Sequence, residues 1–142
     1  MPKRTAQATW NGDLKSGKGT MTFGSGAYEG AYSFASRFEE GDGTNPEELI
    51  GAAHAGCFSM ALSNELAQAG HQPESVHTVA DVTLDLSGDG PSISTILLKV
   101  DAQVPDIDEN TFREIAEGAS KNCPVSRALT GVTVKLETTL NA

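Results

Sequence analysis

Alternation of apolar and polar positions is faint at the start of the chain and becomes strong toward its end. Met21 and Phe23 alternate with polar neighbours, as do Tyr32 and Phe34, and Gly24, Gly26 and Gly30 lie between them as turn signals. The first 40 residues therefore read as three short antiparallel strands, too thin in apolar content to bury a sheet face alone. A solvated break follows at Glu39-Glu40-Gly41-Asp42-Gly43. Asn45 then suits a helix N-cap, Pro46 the first helical position, and Glu47 and Glu48 the positive end of the helix dipole. The helix should run to Ala69, with Gly70 just past its end. Alanines at 52, 53, 55, 61, 67 and 69, with Gly51 and Gly56, give it a slim body. Each mid-helix glycine costs about 1 kcal/mol against alanine, which a kink or a close backbone approach would explain.

The second half is more regular. Val76, Ala80, Val82, Leu84 and Leu86 hold even positions, and after Gly88-Asp89-Gly90-Pro91 so do Ile96, Leu98, Val100, Ala102 and Val104. That is a hairpin with one buried face. Asp108 or a neighbour caps a second helix, in which Phe112, Ile115, Ala116 and Ala119 share one side. Pro124 stops it near Cys123, a short helical turn fits Val125 to Leu129, and Val132, Val134, Leu136 and Leu140 mark a final strand. The order predicts an α+β fold with mostly antiparallel sheets, one domain over residues 1–142. The slim helix and thin first sheet predict surfaces completed by a second subunit, a homodimer.

Composition narrows the use of this fold. A net charge of −9, from 19 acidic and 10 basic residues, argues against a nucleic-acid surface. No apolar run resembles a signal peptide or a membrane span, so no membrane partner and a cytoplasmic location are expected. Two cysteines cannot staple a chain of 142 residues, and in a reducing compartment they suggest redox or catalytic use. Buried cysteines are also common as small hydrophobes, so a binding domain with structural thiols stays open.

Cys57 lies well inside the long helix, beyond the one turn over which its dipole acts. A reactive thiolate there needs a cation from elsewhere, with Arg37, Arg113, Lys121, Arg127 and the histidines as candidates. His54, three residues before Cys57, raises the alternative of a cysteine hydrolase. Cys57, Cys123, His54, His71 and His77 show no zinc-type ligand spacing, so no metal and no cofactor is expected.

The stretch from Arg37-Phe38-Glu39 through Thr44-Asn45-Pro46-Glu47-Glu48 to Ala53-His54-Ala55-Gly56-Cys57-Phe58-Ser59-Met60 strongly resembles the OsmC/Ohr family of organic hydroperoxide peroxidases. So does Asn122-Cys123-Pro124-Val125-Ser126, and the similarity extends over essentially the whole chain. His54 looks like the OsmC branch, where the Ohr branch tends to carry an aromatic, and Gly56 stands where alanine is frequent. The resemblance implies an intertwined homodimer, with two sheets wrapping paired central helices and both sites at the interface. It implies that Cys57 attacks the hydroperoxide, Cys123 resolves, Arg37 stabilises the Cys57 thiolate and Glu47 holds Arg37. It points to a lipoylated protein as the dithiol reductant, and Arg37 could come from the partner chain. Ten residues of straight helix, about 15 Å, separate Glu47 from Cys57, so a break near Gly51 is expected. Glu47 then acts on Cys57 only through Arg37.

Overall fold

The structure is a computed structural model and describes residues 1–141, in two units, Met1–Leu49 and Ile50–Ala142. In the first, β1 (Ala6–Asn11), β2 (Lys18–Phe23) and β3 (Glu29–Tyr32) form an antiparallel sheet in chain order. Only Gly19 among these strand residues is buried, so the sheet is as thin as its sequence suggests. The alternation does not carry on to Phe34, which corrects the reading of Tyr32 and Phe34 as one strand. Ser33 instead caps a helix α1, Phe34–Phe38. Its Oγ accepts the Ser36 N–H at 3.1 Å, and Ser36 Oγ accepts the Ser33 N–H at 2.8 Å. This is a capping box in which serine takes the place of the usual glutamate. Arg37 therefore belongs to a helix.

The long helix α2 spans Pro46–Gln68. Asn45 Oδ1 accepts the Glu48 N–H at 2.8 Å, and Gly70 closes the far end at φ +90°. The helix is continuous through Gly51, so the expected break is corrected. A Cβ on Gly51 would lie 3.2 Å from Val82 Cγ2, so the glycine serves close packing of helix on sheet. Gly56 has no such neighbour within 4 Å.

In the second unit β4 (Ser75–Asp85) and β5 (Ser92–Gln103) make the expected antiparallel hairpin, with a bulge between Thr83 and Leu84. Beyond that bulge Leu86 has left the strand and is 58% exposed, against its assignment to the buried face. β6 (Thr133–Asn141) pairs with β5 in parallel. A parallel neighbour needs a crossover, supplied by α3 (Glu109–Asn122) and α4 (Pro124–Ala128). Asp108 caps α3 by accepting the Thr111 N–H at 2.8 Å.

Phe58, Leu62 and Leu66 of α2 form the core with Ile96, Leu98, Val100 and Ala102 of β5 and with Phe112, Ala116 and Ala119 of α3. Each fully buried large apolar side chain contributes about 2 kcal/mol. Cys123 is part of this core at 0% exposure. The α+β class expected from the sequence is the one observed.

Candidate active site

Two thiols meet inside the second unit. Cys57 is carried by α2, half-buried, and Cys123 stands at the corner between α3 and α4. Their sulfurs are 2.8 Å apart, and both are free. The corner arises because Cys123 ends α3, its N–H bonded to the Ala119 carbonyl at 2.9 Å, while Pro124 begins α4. Proline has no N–H, so the first unsatisfied donor of α4 belongs to Val125. That N–H is given to Cys57.

Three influences raise the Cys57 thiol above its ordinary value, in order burial, the hydrogen bond it shares with Cys123 and repulsion from the second sulfur; the Val125 N–H pulls the other way. Within the second unit Arg113, Lys121, Arg127, His71 and His77 form no hydrogen bond or ion pair with Cys57 among the described residues. The cation expected for this thiol is not among them.

His54 is fully buried one turn before Cys57 and does not pair with it. Its Nε2 lies 2.6 Å from Ser126 Oγ on α4, and its Nδ1 has no partner. Burial lowers its pKa, which favours the neutral ring. A hydrolase would need an imidazole nitrogen on the sulfur, and here neither does so: Nε2 is taken by Ser126 and Nδ1 bonds nothing.

Arg37 and Glu47 form a separate pair in the first unit. Arg37 Nε and Nη2 both donate to Glu47 Oε1, at 3.1 and 2.8 Å, and Glu47 is 7% exposed. The guanidinium also stands 5.5 Å above the Phe38 ring. Ser36 Oγ donates to the Thr44 carbonyl at 2.7 Å and Asn45 Nδ2 to the Ser36 carbonyl at 3.0 Å, tying α1 to the start of α2. Beside Arg37, Trp10, Leu14, Tyr32, Phe34 and Phe38 line a cavity of about 220 Å³.

Sequence reasoning singled out Cys57, Cys123, Arg37, Glu47 and His54, and the structure places them in two sets. It missed Val125 and Ser126. The signal was present in Pro124, whose missing N–H passes the donor role to the next residue. Among the described residues no cluster of His, Cys, Asp and Glu could hold a metal, and no helix is long and apolar enough to cross a membrane.

The OsmC-like protein family model matches residues 39–137. The chain is 52% identical over 127 residues to peroxiredoxin OsmC of Escherichia coli strain K12, covering 89% of each. It is 33% identical over 97 residues to the organic hydroperoxide resistance protein OhrB of Bacillus subtilis, covering 67% of this chain and 69% of that one. The crystal structure of that OhrB superposes with a TM-score of 0.66 at 28% identity, over 94% and 97% of the two chains. An OsmC-like protein of Vibrio cholerae gives a TM-score of 0.77 at 18% identity, over 97% and 99%. By family model, sequence and fold together, the chain belongs to the OsmC/Ohr family, on its OsmC branch.

Proposed function

We propose that this chain is a cysteine-based peroxidase that reduces organic hydroperoxides to alcohols in stress defence. The observation that carries it is the 2.8 Å approach of two free thiols, one half-buried and one in the core. Relatives named peroxiredoxin and organic hydroperoxide resistance protein support it.

The Cys57 thiolate attacks the distal oxygen of the hydroperoxide. The O–O bond breaks, the alkoxide takes a proton and leaves as alcohol, and Cys57 becomes a sulfenic acid. Cys123 attacks that sulfur, the S–O bond breaks, and the hydroxide leaves as water with the Cys123 proton. The resulting Cys57–Cys123 disulfide is reopened by exchange with an external dithiol, for which a lipoylated protein is the proposed donor.

Burial and the second thiol disfavour the Cys57 thiolate, and one backbone N–H is a weak counterweight. A guanidinium at the sulfur would supply the missing charge and stabilise the leaving oxygen. We assign that role to Arg37, delivered by the partner of a homodimer, with Glu47 holding it in place. Hydroperoxides with apolar groups suit the aromatic cavity beside Arg37 better than hydrogen peroxide, which brings no apolar area to bury.

The test is one equivalent of cumene hydroperoxide added to reduced protein. The proposal requires loss of both thiols with formation of one Cys57–Cys123 disulfide, and a trappable sulfenic acid on Cys57 in Cys123→Ser. Wild-type protein that keeps both thiols titratable would overturn it.

A further inference from the structure

The shortest helix of the second unit carries the contacts that the chemistry needs. α4 has five residues and no side-chain cap at its N-terminus, so it has little stability of its own. Yet the Cys123 thiol precedes it and the Val125 N–H opens it, and both meet Cys57. Val125 and Leu129 pack on the core, but apolar contact is non-directional and does not fix the corner in register. Among the described residues the sole side-chain hydrogen bond from α4 is Ser126 Oγ to His54 Nε2, at 2.6 Å. His54 sits three residues before Cys57 on α2, so the helix bearing the attacking sulfur also grips α4. The ring is fully buried and leaves Nδ1 unpaired. An apolar ring would fill that space without an unpaired polar atom, so packing alone does not account for the imidazole.

We propose that His54 and Ser126 are a positioning pair that keeps the Cys123 corner seated on Cys57, so that resolution outruns over-oxidation. The proposal rests on the peroxidase reading above. Once Cys57 is a sulfenic acid, two reactions compete for it. Condensation with the Cys123 thiol forms the S–S bond and releases water. A second hydroperoxide instead transfers an oxygen to the same sulfur, giving a sulfinic acid and another alcohol. The first rate depends on how often the Cys123 sulfur is in place, the second on hydroperoxide concentration alone. Neither His54 nor Ser126 touches the reacting atoms, so their loss acts on the first rate.

The experiment mixes reduced protein with cumene hydroperoxide at increasing excess, quenches with an alkylating agent, and reads sulfenic acid, disulfide and sulfinic acid by intact mass. Ser126→Ala should slow disulfide formation about three- to tenfold, the effect of one hydrogen bond, and raise the sulfinic fraction by the same factor. Sulfenic acid formation, measured with Cys123→Ser added, should change at most about twofold, since the corner reaches the attacking thiolate only through the weak Val125 N–H contact. Ser126→Thr, which keeps the hydroxyl, should restore the wild-type partition. His54→Phe, which fills the site and removes the bond, should repeat the Ser126→Ala result and serves if that variant does not fold. An unchanged partition in both variants, or attack and resolution slowed equally, overturns the proposal. Wild-type protein that forms no disulfide overturns the peroxidase reading itself.

Discussion

His54 and Arg37 show how far single residues could be read in advance. Both were visible as candidates, but the partner of His54 was not: Ser126 is 72 residues away, and no local spacing announces that pair. The Arg37–Glu47 pair crosses ten residues and a loop, and the resemblance named it where periodicity could not. The structure also makes a pH prediction. Burial lowers the folded His54 pKa below its ordinary 6.5, so the unfolded chain binds the proton more readily. Stability from this group is complete above pH 6.5 and declines as pH falls through the lower folded value. Urea unfolding of reduced protein should show stability dropping below that pH, with a shallower slope in His54→Phe. Arg37 carries a kinetic prediction. Arg37→Ala should slow Cys57 oxidation by an organic hydroperoxide by about 100-fold at neutral pH. The deficit should narrow toward alkaline pH, as the thiol ionises without help; a constant deficit would remove Arg37 from thiolate stabilisation.

At the scale of elements, the two glycines of α2 have different reasons, which sequence could not separate. Gly51 lies against the sheet, where an added Cβ would crowd Val82 at 3.2 Å, and Gly56 faces open space in the chain. Gly56→Ala should therefore gain about 1 kcal/mol from helix propensity, raising the thermal midpoint by a few degrees. Gly51→Ala should gain clearly less, and Val82→Ala beside it should restore part of the difference. Equal midpoints for the two single variants would contradict the packing account. Most elements were legible from period and caps: α2, the β4–β5 hairpin and α3 all follow their patterns. The exceptions have physical causes. Ser33 turns the chain into α1 through a serine–serine box that has no glutamate signature. The parallel partnership of β6 depends on where a crossover lands, which alternation along one strand does not encode.

For the whole molecule, α2 presents Ala52, Ala53, Gly56, Met60, Asn64 and Ala67 as an exposed stripe, with Met60 77% exposed. A second copy is the proposed cover. Equilibrium sedimentation should give twice the 14.8 kDa of the chain, and Met60→Glu should shift it toward the monomer. A wild-type monomer at micromolar concentration would exclude the dimer. The meeting of Cys57 with Cys123 has one more consequence. Joined, they close a loop of 66 residues through the core of the second unit. Cross-linking that much chain removes freedom from the unfolded ensemble, stabilising the fold by about 4 kcal/mol. The oxidised protein should accordingly melt well above the reduced one. By the same cycle the fold protects the bond, placing its reduction potential about 90 mV below that of the same pair in unfolded chain. On the proposed cycle each turnover would leave the protein in its more stable form, and the return half would call for a strongly reducing dithiol.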